Sequence, residues 1–167
     1  MKRLLVLTFL LIAALILQST LLNFFEVVSV KPDLLLVIVL LYGLLYGKSA
    51  GILGFCYGLI EDLLLGRFIG FNAFNKGLAG FIVGYLEPKF FKEHALVPVI
   101  VLLIGTIGYG LISFIVGLLV GLFSGHDFQA YARIIIIQAI YNACLAPLVY
   151  ARYYNLSMQR FLKKLWR

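Results

Sequence analysis

The chain is short of charge. Its 167 residues include 14 Lys and Arg and 7 Asp and Glu, 13% in all, where an ordinary soluble domain has about 25%. With 63% apolar residues and a mean hydropathy of +1.07, a soluble fold of this size would have no interior large enough for its apolar surface. The chain therefore belongs in a lipid bilayer, and the same composition excludes a disordered protein. Cysteine is scarce as well. Cys56 and Cys144 both lie inside apolar runs, which excludes a disulfide scaffold. A formal charge of +7 would suit nucleic acid only if it were gathered on one soluble face. Here the cations flank apolar segments, so they fit an anionic membrane surface and no nucleic acid.

Signatures of catalysis are absent too. The sequence has no phosphate-binding glycine loop, no Cys-x-x-Cys, no His-Glu-x-x-His and no Gly-x-Ser-x-Gly. His94 and His126 fall on opposite sides of the membrane in the topology derived below, so they cannot share a metal. Glu61 and Asp62 are adjacent carboxylates, but neighbours on a helix point about 100° apart and do not form an acid/base pair. An intramembrane aspartyl protease needs a second aspartate in another helix, and none stands out. The expectation is a protein that is not an enzyme, with no cofactor and no metal.

What the chain does have is long apolar runs. Leu4 to Phe25 carries no charge and lacks a small-x-small cleavage site after Gln18-Ser19-Thr20, so it reads as a retained first helix. Leu34 to Leu65 holds Lys48, Glu61 and Asp62. As one straight helix it would be about 48 Å long, too long for a ~30 Å core. A break at Gly47-Lys48-Ser49 gives two helices, roughly 33–47 and 49–65. Residues 66–72 form a turn, and a fourth helix runs to about Leu86, stopped by Glu87-Pro88. One long tilted helix starts near Pro98, and Ile134 to Ala151 supplies the sixth. With both ends cytoplasmic, the inner segments hold Lys2, Arg3, Lys48, Lys89, Lys92, Arg152, Arg160, Lys163, Lys164 and Arg167, ten of the 14 cations. An odd helix count would place the basic C-terminus outside, against the positive-inside tendency. The fold class expected is an all-α, six-helix integral membrane protein, a single domain over 1–167 with a basic cytoplasmic tail at about 152–167.

Small residues recur at helical spacing. Gly43, Gly47 and Gly51 are four apart, as are Gly54 and Gly58, Gly80 and Gly84, and Ser113, Gly117, Gly121 and Gly125. Such stripes let helix backbones approach closely, either inside the bundle or against a partner's membrane helix. Leu in place of Gly117 and Gly121 is expected to weaken that association. The tail has five basic residues and no acid. Leu156, Phe161, Leu162, Leu165 and Trp166 interleave with Arg160, Lys163 and Lys164, which suits a short amphipathic helix on inner-leaflet lipids, a plain stop-transfer tail or a contact with a cytoplasmic partner.

Polar residues inside the apolar runs are Gln18, Glu61, Asp62, Asn75, Lys76, Gln138 and Asn142. Intramembrane ionisable groups face the bundle interior and pair, or mark a pathway. Asp62 and Lys76 flank the 66–72 turn at similar distances, so an ion pair between them is expected. Asp62 lies on the Gly54–Gly58 face and should point inward, with Arg67, Asn72 and Asn75 also in reach. Glu61 is turned toward the interface water. Gln18 and Asn142 should bond across helices.

Several of these residues, in this order, carry a resemblance: Gln18-Ser19-Thr20-Leu21-Leu22, Pro32-Asp33-Leu34-Leu35-Leu36, Gly54 to Leu64, and Gly70-Phe71-Asn72-Ala73. Over nearly its whole length the chain resembles the bacterial rod shape-determining protein MreD family. Arg67-Phe68-Ile69 departs from the family's turn, and Lys76 matches no family position. The resemblance implies a non-catalytic inner-membrane component of the elongation machinery that organises lateral peptidoglycan synthesis. It also implies a fold related to the substrate-binding subunits of energy-coupling-factor vitamin transporters. MreC is the direct partner implied, with MreB, RodA and a penicillin-binding transpeptidase in the same assembly. A small-molecule-binding transport subunit is the competing reading. It would need polar and aromatic groups gathered in an outward cavity, and the longest outer loop, Asn23 to Asp33, is short and holds few.

Overall fold

The computed structural model describes the backbone of residues 2–19, 30–65, 68–90, 96–124 and 128–165, and side chains within 7–18, 30–64, 68–90, 96–124 and 128–147. The expectations at Arg67, His94 and His126, and in the 20–29 segment, fall outside these residues. The described residues form six α-helices: α1 Lys2–Ser19, α2 Leu34–Tyr46, α3 Ala50–Leu65, α4 Phe71–Leu86, α5 Val97–Leu119 and α6 Phe128–Leu165. Three stretches, Leu34–Leu64, Val97–Leu119 and Phe128–Pro147, are long and apolar enough to cross a membrane.

The first of those stretches does not run straight. A 3₁₀ turn at Gly47–Ser49 separates α2 from α3, and Gly47 has a φ of +73°, a backbone region open mainly to glycine. Asp33 at the start of α2 and Glu61 near the end of α3 both reach the ammonium of Lys76. Residues so far apart can meet one nitrogen only if α3 returns alongside α2. α4 then packs along α3, and α2 touches each of the other five helices. Leu35, Leu36, Val37, Val39, Leu40 and Leu44 are all essentially buried, as befits a helix that is apolar on every side.

Helix ends follow local chemistry. Asp33 caps α2 by accepting from the Leu36 N–H at 2.8 Å. Pro88 sits in the 3₁₀ turn Glu87–Lys89 that ends α4. Pro98 lies in the first turn of α5, where its missing N–H is harmless. α5 stops at Leu119, and Leu122 N–H returns to the Gly117 carbonyl at 2.7 Å across Gly121, whose φ is +78°.

Two expectations change. α6 begins at Phe128 and continues unbroken to Leu165, with Pro147 inside it, so the basic tail extends the sixth helix. Arg160, Lys163 and Lys164 lie on its last turns, their side chains outside the described set. The Ser113–Gly117–Gly121 stripe is not a helix face, because α5 ends before Gly121. A side chain at Gly117 would meet the Phe123 ring folded back from the following turn, while Gly121 has open space around it.

Gly54, Gly58 and Gly84 lie inside the bundle. A β-carbon at Gly58 would run into the Asn72 carbonyl, one at Gly54 into the Lys76 carbonyl, and one at Gly84 into Gly47. Their absent side chains set how closely α3 approaches α4 and how closely the Gly47 turn approaches α4.

Candidate interaction site: a polar cluster shared by six helices

Lys76 is the centre of the cluster. Its side chain is fully buried, and its Nζ lies 2.9 Å from Asp33 Oδ2 and 3.1 Å from Asp33 Oδ1, with Glu61 Oε2 as its second carboxylate partner. A buried ammonium is tolerated only when paired and hydrogen-bonded. Asp33 has a further role beyond Lys76 and its cap. Gln18 Nε2 donates to its carboxylate at 3.4 Å, and its own N–H donates to Asn142 Oδ1 at 3.1 Å. Asn142 in turn donates to Thr106 Oγ1 at 3.1 Å, and Gln138 donates to the Lys31 carbonyl at 3.4 Å. Pro32, buried beside Asp33, fixes the chain entering α2.

Asp62 performs a different task. Its carboxylate accepts from the N–H groups of Gly70 at 2.9 Å, Ala73 at 3.1 Å and Asn72 at 3.2 Å, and from Asn72 Nδ2 at 2.9 Å. Gly70, the residue capping α4, has no side chain to offer. A carboxylate from α3 supplies the missing cap, and its charge faces the positive end of the α4 dipole. Asn72 also accepts from the Tyr109 hydroxyl at 3.2 Å, which brings α5 into the same cluster.

Sequence reasoning placed these residues together but mismatched two partners. The expected Asp62–Lys76 pair is replaced by Asp62 on the α4 terminus and Lys76 on Asp33 and Glu61. Glu61, expected at the interface water, has a side chain only 15% exposed and points at Lys76. Gln18, Asp33, Asp62, Asn72, Lys76 and Asn142 converge as inter-helix contacts. Gly54 and Gly58 form the close α3–α4 contact beside them, whereas Gly117 and Gly121 lie apart from the cluster, at the end of α5. Asn75 is a position whose consequence sequence reasoning missed: fully buried, with neither amide atom paired.

The chemistry of this arrangement is cohesive. The carboxylates of Asp33, Glu61 and Asp62 are each engaged by a cation or by N–H donors. Among the described residues no His, Cys, Asp and Glu side chains form a group able to hold a metal ion.

The cap makes Asp62 sensitive in a graded way. Asp62→Ala is expected to lower the melting temperature and membrane yield more than Asp62→Asn, since Asn retains one acceptor for the α4 N–H groups. Each buried group left unpaired costs about 1–3 kcal/mol. Equal melting temperatures for the two variants would exclude the capping role.

Neither the curated proteins nor the solved structures contain a match to the chain. The family described as rod shape-determining protein MreD matches residues 1–156. That match spans all of α1 to α5 and α6 as far as Leu156, including every residue of the polar cluster, and the chain belongs to the MreD family.

Proposed function

We propose that this chain is a non-catalytic scaffold of the cell-elongation machinery, spanning the bacterial cytoplasmic membrane six times with both ends inside. In this reading it associates directly with MreC and, in the same assembly, with MreB, RodA and a penicillin-binding transpeptidase, and so organises lateral peptidoglycan synthesis. A role in rod-shape determination comes with the family. The observation that carries the scaffold reading is that polar side chains from all six helices, Asn75 apart, are bonded to one another. A binding subunit of a vitamin-type transporter is expected to gather polar and aromatic groups in an outward cavity. Here Lys76, Asp33, Glu61 and Asp62 all have protein partners.

The test is complementation joined to capture. A tagged copy expressed in cells depleted of their own rod-shape protein should restore rods and retain MreC in mild detergent. A folded, membrane-inserted copy that neither restores shape nor retains MreC would overturn the proposal. A reporter active only outside the cytoplasm, fused after residue 167, should stay silent. Thermal stabilisation by a vitamin-sized compound would redirect the assignment to a transport subunit.

A further inference from the structure

On the side of α3 and α4 turned away from α2, the close glycine contact creates a groove. Gly51 and Gly77 form its floor. A β-carbon at Gly51 would lie 3.0 Å from Phe81 Cβ, and one at Gly77 would lie 3.3 Å from both Phe55 Cβ and the Gly51 carbonyl. With the backbones this close, larger side chains stand up as walls: Ile52 and Phe55 from α3, Phe74, Leu78 and Phe81 from α4. The groove is shallow and open along its length, with a volume of about 480 Å³. Phe55, Phe74 and Phe81 are each about half exposed along it, and Ile52 is more so.

One end of this apolar groove is charged. Lys48 lines it and is exposed, with the Glu87 carboxylate on the far side of Gly47. Its Nζ sits 4.8 Å above the Tyr85 ring centroid, a cation–π contact that holds the ammonium at the groove mouth. A cleft that is apolar along its length and cationic at one end complements a molecule with an acyl chain and an anionic head. Another groove, between α4 and α5, has about 350 Å³ and is lined by Ile82, Ile100 and Ile104 among others, with no charged side chain. It offers no such complement.

We propose that the α3–α4 groove is a binding site for an anionic glycerophospholipid, with an acyl chain laid along Phe55, Phe74 and Phe81 and the headgroup phosphate at Lys48. The site stands independently of the elongation role, since it rests on this groove and its lysine alone.

The experiment is native mass spectrometry of the full-length chain in mild detergent, with equal phosphatidylglycerol and phosphatidylcholine added. The parent should retain phosphatidylglycerol in preference to phosphatidylcholine. Lys48→Gln should cut retained phosphatidylglycerol about five-fold, the ratio set by one cation at an anionic surface. Lys89→Gln, an exposed lysine outside the groove, should leave it unchanged. Ile52→Trp, filling the open rim, should reduce both lipids. Equal retention of the two lipids by the parent overturns the proposal, as does an equal loss in the two lysine variants. A lipid-free doubled mass lost on Ile52→Trp also overturns it, and assigns the groove to a second copy of this chain. Lys48 is exposed and Ile52 mostly so, and matching melting temperatures for the variants separate a lipid effect from misfolding.

Discussion

Lys76→Met is expected to abolish most of the folded protein recovered from membranes, by a destabilisation of about 3–5 kcal/mol. The substitution nearly preserves side-chain length and leaves Asp33 and Glu61 facing each other across a buried site with no cation between them. The asymmetry between breaking such a group and replacing it whole supplies the control. A triple variant, Asp33→Asn, Glu61→Gln and Lys76→Met, removes all three charges together. Asn at position 33 still caps α2. The triple variant should recover most of the stability lost in Lys76→Met, because neutral replacement of an entire buried ion group is often tolerated. Melting temperature in detergent and yield of monodisperse protein are the measurements. A single Lys76→Met variant as stable as the parent would show that the cluster does not hold the helices together.

The second large effect is steric. Gly58→Val is expected to separate α3 from α4, because even its first carbon would occupy the space of the Asn72 carbonyl. Backbone cannot step aside as a flexible side chain does, so the loss should lie at or beyond the upper end of the usual 1–3 kcal/mol for overpacking. It should also disturb the Asp62 cap, which ends on the same Asn72. Gly108→Ala is the matched control. Nothing lies within 4 Å of a β-carbon there, and Ala in place of Gly in a helix interior gains about 0.5–1 kcal/mol. Opposite shifts in melting temperature are the expected result, and equal tolerance at the two positions would remove glycine packing as a determinant of the α3–α4 contact.

Much of this architecture is legible in the sequence. The break at Gly47-Lys48-Ser49 followed from comparing the length of an apolar run with the thickness of a bilayer, and the end of α4 followed from Glu87-Pro88. The inward face of α3 was legible in the Gly54–Gly58 spacing, and Asp62 does lie on it, 1% exposed. Its partner was not legible. Depth along one hairpin pairs Asp62 with Lys76, but it cannot see Asp33, which comes from a third helix and is 43 residues from Lys76 in the chain. Nor could it see that Gly70 leaves α4 without a cap of its own. Glu61 illustrates the same limit. A rotation of about 100° from Asp62 was read as a turn toward water, whereas in a three-helix junction that direction also faces a neighbour. The stripe at Gly117 and Gly121 failed for a local reason: equal spacing persists in sequence after the helix has ended, and only the positive φ of Gly121 marks the place.

The Asp62 cap bears on how the chain enters its membrane. While α3 is in lipid without α4, the Asp62 carboxylate is a solitary anion and the first N–H groups of α4 are solitary donors, a state that hydrocarbon disfavours on both counts. Each resolves the other, with only a short turn between them. The two helices therefore satisfy each other as a hairpin and are expected to enter the membrane as one unit, with Lys76 still to be matched by the carboxylate of Asp33.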